Sequence, residues 1–412
     1  MAVGVVIGRT SEFFDFFVYA IASVLVFPKL VFPFVSPLTG TLYSFAIFAW
    51  GFVVRPVGTI AFLRVERLYG RGTKLSIVLL LLGSSTVALG FLPGYQEAGS
   101  IAIVALILLR TAQGVALGGS WDGLASLLAI NAPEKHRGWY AMLPQLGAPL
   151  GFMVASSLFA FFVTALSPDD FLSWGWRYPF FVAFAINVVA LFARLRIVVA
   201  PEYEHLFKIG DLQPSAVPET LRMEGRHIVI GAFAPLASFA LFHTVTVFPL
   251  SWVYVFTRQS PARFLLIETA GAVVGTVAIL LSGVLADRLG RRALLTITAG
   301  AIAAFSGFAP QMLAGGELGA GAFMLLGFVL LGLSFGQSSG SVAAGFETRY
   351  RYTGSALTSD LAWLFGAGFA PWVALAISSR FGLVAAGAYL LSGAICTLVA
   401  LAIYRQLEAQ TT

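Results

Sequence analysis

Apolar residues run along the chain in long blocks broken by short polar punctuation, without the strict alternation of half-buried strands. A helix crosses a bilayer with about 20 mostly apolar residues, and the blocks are long enough for that. They predict spans at 3–28, 39–63, 75–95, 100–130, 139–165 and 178–200, then at 227–256, 263–286, 292–313, 320–346, 353–378 and 383–404. Between the two sets lies the longest hydrophilic stretch, 201–226, which holds Glu202, Glu204, Lys208, Asp211, Pro214, Pro218, Glu219 and Glu224. The expected fold class is therefore an all-α membrane protein with twelve transmembrane helices. They would form two six-helix bundles, 1–200 and 227–412, joined by a cytoplasmic linker at 201–226.

Composition removes the soluble alternatives. Of 412 residues, 58% are hydrophobic and 11% charged, against roughly 25% charged in soluble domains. The net charge of +6 would suggest nucleic acid in a soluble protein, but here it follows the positive-inside rule. One set of alternate loops carries Arg64, Arg67, Arg71 and Lys74, then Lys135 and Arg137, then Arg288, Arg291 and Arg292, then Arg349 and Arg351. The opposite set carries only Lys29, Arg177, Arg258, Arg263 and Arg380. That asymmetry predicts both termini and the linker in the cytoplasm, with the chain in a bacterial-type inner membrane. The start, MAVGVVIGRTSEFFDFFVYA, has acids inside its apolar run and reads as the first span rather than a signal peptide. With Cys396 as the one cysteine, neither a disulfide nor a cysteine metal site can form within a chain. No Walker, HExxH or Ser/His/Asp pattern is evident, so no enzyme, cofactor or metal is expected.

The two sets of six share a repeat. RPVGTIAFLRVERLYGRGTKL after span 2 matches LLSGVLADRLGRRALL after span 8, with Gly70-Arg71 aligned on Gly290-Arg291. Glycine at a helix end followed by a tight basic turn suits close helix approach, with the arginines facing carboxylates and lipid phosphates.

These residues resemble the major facilitator superfamily. Gly283, Asp287, Arg288, Gly290, Arg291 and Arg292 are similar to its loop signature. Other stretches resemble the metabolite:proton symporter branch: Glu12-Phe13-Phe14-Asp15-Phe16-Phe17-Val18-Tyr19, Arg55-Pro56-Val57-Gly58, and Arg110 with Gln113, Gly114, Gly118 and Gly119. Trp174 to Phe180 and Arg351-Tyr352-Thr353-Gly354 add two more. The resemblance implies a cytoplasmic gate built on Arg55, Gly58, Glu66, Gly70, Arg71, Gly283, Asp287, Arg288, Gly290 and Arg291. Three departures stand out. Leu63 and Arg67 replace a glycine and an acid of the first signature, with Glu66 one residue early as the nearest acid. Ser120 replaces a glutamate, the acid reappearing at Asp122, about 200° round the helix. Ser359-Asp360 stand where Tyr-Asn is usual.

Charged groups at mid-bilayer cost about 2.5–3.5 kcal/mol on insertion scales, so those in the spans are functional candidates. Glu12 and Asp15, three apart on one face, suit proton exchange or pairing with Arg9; Asp122 is a third proton candidate. Arg110 suits a substrate carboxylate, and the resemblance implies a substrate or coupling role for it; Gln145 and Asp360 complete the substrate-binding set. Asp360, without a local base, argues mildly for a cationic or zwitterionic group in the substrate. Glu268, five residues after Arg263, reads as a rim salt bridge. His243 reads as a proton relay or a helix contact, and Trp139, Trp174 and Trp176 as interface residues. The leading function is proton-coupled symport of a small organic acid or zwitterion by a monomer working by alternating access among membrane lipids. An exporter, a uniporter and a non-transporting sensor stay open as alternatives.

Overall fold

The computed structural model describes residues 2–120, 128, 132–198, 213–338 and 346–411, and among these all regular structure is helical. The spans are α1 (Ala2–Leu25), α2 (Pro37–Tyr69), α3 (Arg71–Leu89), α4 (Ser100–Gly119), α5 (Arg137–Ala165) and α6 (Tyr178–Val198). The second set is α7 (Leu236–Phe256), α8 (Pro261–Leu289), α9 (Arg291–Ala314), α10 (Gly316–Phe335), α11 (Thr348–Phe381) and α12 (Val384–Thr411). Eleven of them are long and apolar enough to cross a membrane by length and composition. The twelfth, α1, has 24 residues and carries Arg9, Glu12 and Asp15 within an otherwise apolar sequence. The span pattern thus stands, with the helices overrunning the apolar blocks at the basic end: α2 reaches Tyr69 and α8 reaches Leu289.

The repeat is visible in the backbone. Gly70 and Gly290 both have positive φ, 81° and 85°, and each ends one helix while opening the next without a spacer. Their amide N–H groups donate to Glu66 O and Ala286 O, four residues back. Only glycine adopts this conformation without strain.

Close packing repeats as well. Gly114 and Gly118 on α4 press on α2: a Cβ at Gly118 would lie 2.1 Å from Arg55 O, and one at Gly114 2.5 Å from Gly51 O. In the second half, a Cβ at Gly332 on α10 would lie 2.6 Å from Gly275 O on α8. With no hydrophobic drive between helices in lipid, such small-residue faces let dispersion hold them together.

Two details depart from expectation. A helix, Val217–Phe233, begins inside the stretch read as linker and docks on the start of α11. There Thr353 Oγ1 accepts from Ser215 N at 2.9 Å and Tyr350 donates to Glu219 at 2.9 Å. Trp176 is fully buried, its indole donating to Leu172 O, whereas Trp139 and Trp174 are exposed. The neighbouring Arg177 caps the end of α3 through Gly90 O, 2.7 Å away, which is why this stretch turns inward.

Replacing Gly290 by Ala should cost about 1–3 kcal/mol of stability, the usual price of a non-glycine residue in this region. Thermal unfolding in detergent checks it; an unchanged midpoint would contradict the assignment.

Candidate functional site

The basic loops lie at one end of the molecule, and there two acids tie the halves together. Glu66, at the end of α2, accepts from Arg71 Nε at 2.6 Å and Lys74 Nζ at 2.8 Å, and from the Tyr352 hydroxyl on α11 at 2.9 Å. Asp287, at the matching place on α8, accepts from Gly138 N at 2.6 Å and Trp139 N at 3.2 Å. Those amides are among the orphan donors opening α5, where the helix dipole favours a negative charge. Gln337 adds a bond to Gly138 O at 3.1 Å. Each acid reaches across to the other half. The difference between them follows from the sequence: Glu66 sits one residue early, rotated about 100° and one methylene longer, and meets a side-chain hydroxyl instead of a helix terminus.

Toward the middle, the acids of α1 meet α6. Glu12 is held by Arg9 Nη1 at 2.6 Å and by Arg194 Nη2. Asp15 accepts from Asn187 Nδ2 at 2.6 Å, and Asn187 Oδ1 accepts from Ser11 at 3.0 Å. Glu12 and Asp15 do share a face, but their partners separate them. One is enclosed by cations and the other by a neutral amide.

Arg110 makes three hydrogen bonds within the first half. Its Nε and Nη2 donate to Phe48 O at 3.2 and 3.0 Å, and Nη1 donates to Gln113 Oε1 at 3.2 Å. The guanidinium lies 4.3 Å from the Tyr19 ring centroid and 4.9 Å from that of Phe48, a cation–π setting. Beside it His243 is enclosed by Phe16, Phe48, Phe52, Phe242 and Trp363, with Nε2 making no hydrogen bond.

Asp360 has a base after all, supplied by another span. Arg55 Nε on α2 lies 2.9 Å from Asp360 Oδ1 on α11, both buried. Arg55 lines a cavity of about 30 Å³, with Arg9, Glu12, Phe52, Ser120 and Trp363 among its other lining residues. A second cavity of about 20 Å³ lies between Phe152, Phe242 and Phe328 and is wholly apolar. Each has room for about one or two waters. At the opposite end, Lys29 sits over the Tyr254 ring, so contacts bridge the halves at both ends.

The three substrate candidates therefore do not converge. Arg110 and Asp360 approach one another only through the stacked rings of Phe52 and Trp363, 6.0 Å apart. Gln145 lies elsewhere, on a 3₁₀ stretch from Leu143 to Leu146, and donates to Ser338 Oγ across the halves at 3.3 Å. Asp122 lies outside the described residues. Glu268 is not a rim salt bridge: Arg263 pairs with Glu317 at 2.9 Å, and Glu268 is fully buried with neither oxygen hydrogen-bonded. Arg194, Asn187 and Trp363 were missed. For the first two, a polar residue inside the apolar run of span 6 was the available signal.

The sequence profile of the Major Facilitator Superfamily matches residues 10–363. The chain belongs to the major facilitator superfamily. It is a membrane transporter and not an enzyme. It is 37% identical to the inner membrane metabolite transport protein YhjE of Escherichia coli (strain K12), covering 98% of this chain and 93% of that one. It is 29% identical to the shikimate transporter of the same strain, over 92% and 88% of the two chains. The crystal structure of a D-xylose–proton symporter superposes with a TM-score of 0.72 at 18% identity, covering 97% and 96%, a likeness of fold. In this superfamily member, the links at Glu66 and Asp287 are hydrogen bonds between the two halves at the basic end.

Tyr352→Phe removes a hydrogen bond to a charged group, worth about 1.5–3 kcal/mol. In a Cys396→Ala background with Ala148→Cys as reporter, maleimide labelling should accelerate by about tenfold or more. Unchanged labelling would show that this bond does not hold the end closed.

Proposed function

We propose that the chain is a secondary active transporter coupling inward proton movement to uptake of a small organic acid or zwitterionic metabolite, through alternating access of its two halves. The observation that carries this reading is the contrast between Glu12 and Asp15. Glu12 is enclosed by two guanidiniums, while Asp15 is buried against a neutral amide, and among the described residues no cation contacts it. A carboxyl held by an amide gains or loses a proton without breaking an ion pair, so Asp15 is the proton carrier in this reading, Glu12 its paired neighbour and Asp122 a further candidate. The substrate class is supported by the Arg55 guanidinium, which lines the cavity between the halves, and by the relative named for shikimate, the anion of a small organic acid. The excess of Lys and Arg in alternate loops supports cytoplasmic termini and linker. A bacterial inner membrane agrees with the name of the YhjE relative. We assign residues 1–200 and 227–412 to the two moving halves of a monomer, with 201–226 between them.

In proteoliposomes, one proton per substrate across a one-unit pH gradient supplies about 1.4 kcal/mol, or about tenfold accumulation. Asp15→Asn should abolish that accumulation while leaving counterflow. Accumulation that survives an uncoupler, or is unchanged in Asp15→Asn, would contradict proton coupling through this residue.

A further inference from the structure

The Arg55–Asp360 pair differs from every other buried ion pair described above. Arg9–Glu12–Arg194 and the Glu66 pairs with Arg71 and Lys74 each lie within one half, whereas Arg55 belongs to the first half and Asp360 to the second. The halves cannot separate at this depth with the pair intact. A buried charge left uncompensated is strongly destabilising, so the rearrangement needs a substitute counter-ion for Arg55.

The cavity beside the pair favours an anion in that role. Two of its lining side chains, Arg9 and Arg55, are cationic, and its one lining acid, Glu12, is already held by Arg9 and Arg194. Withdrawal of Asp360 with the second half takes from Arg55 the carboxylate it faces. The wall is an aromatic plane: Trp363 stacks on Phe52 and lies 5.9 Å from the Arg55 guanidinium. Asp360 also stands three residues before a π-helical segment, Trp363–Gly368. Such segments interrupt the regular ladder and recur at functional sites, and here one gives Asp360 a place to yield.

We propose that the cavity at Arg55 is a carboxylate-binding site and that Asp360 is its built-in occupant, displaced when a substrate carboxylate arrives. The cavity as it stands admits little more than a water or two, so ligand enters as the Asp360 carboxylate leaves, one anion replacing another on the same guanidinium. The proposal rests on the transport reading and names the group by which substrate is held. It makes Asp360 a determinant of affinity and of closure together.

The test uses Ser120→Cys, in the cavity wall, as reporter in the Cys396→Ala background. Maleimide labelling is followed in detergent without any ion gradient, so its result is independent of the flux measurement. Benzoate and succinate serve as probes against benzamide and succinamide. In the parent, labelling should be slow and at least one carboxylate should speed it by about 5- to 150-fold, the range of ordinary coupling between two states, while its amide does not. Asp360→Asn should label fast without ligand and gain nothing further. Asp360→Glu, which restores the carboxylate, should be slow again and respond to the probe. Slow labelling in a monodisperse Asp360→Asn variant would overturn the proposal. So would equal effects of acids and amides on the parent or on Asp360→Glu, a result that stands even where the asparagine variant fails to fold.

Discussion

Ionised side chains inside a low-dielectric slab must be met by opposite charge or by dense hydrogen bonding, and the organisation of this transporter follows from how that demand is answered. Glu12 is met by two arginines, Glu66 by Arg71 and Lys74, and Arg110 by a carbonyl, an amide and two aromatic faces. Because those partners lie within one half, the charges travel with their compensation whenever that half moves. Where the partner lies in the other half, motion and charge compensation become a single problem. Arg55 with Asp360 is such a case, a buried ion pair. The Glu66–Tyr352 and Asp287–α5 hydrogen bonds are its counterparts at the basic end.

The two halves answer the same geometric need with different chemistry. Asp287 uses main-chain donors, which every residue at a helix start supplies, so its contact tolerates change in the side chains around it. Glu66 depends on one tyrosine. A displacement of the acid by a single position thus converts a link that reads backbone into one that reads a side chain, and the first half's closure becomes the more easily altered by substitution.

Much of the architecture was legible because it rests on local quantities. Apolar run length set the twelve spans, and the paired Gly-Arg turns marked the repeat before any coordinates. The site was less legible because its contacts join spans far apart in sequence. Nothing near Asp360 in the chain points to Arg55, and nothing near Glu12 points to Arg194, 182 residues away. Glu268 seemed attached to Arg263 because the two are five apart on one helix. Five positions is about 140° of rotation, though, and Arg263 instead turns outward to Glu317. Trp176 misled for a similar reason, since aromatic rings near a span end serve the interface only when they point outward.

The glycine face between α2 and α4 has a consequence for how such a protein diversifies. With backbones in contact at Gly114 and Gly118, no side chain lies between the two helices there to act as a bearing, and neither can slide along the other. Arg55 and Arg110 are therefore mounted on one rigid plank, at a spacing that substitutions nearby cannot tune. On the proposed transport reading, shape and selectivity are adjusted from the facing wall, where Phe242, His243, Asp360 and Trp363 project from α7 and α11. One half is the fixed jaw of a vice, and the other carries the replaceable insert.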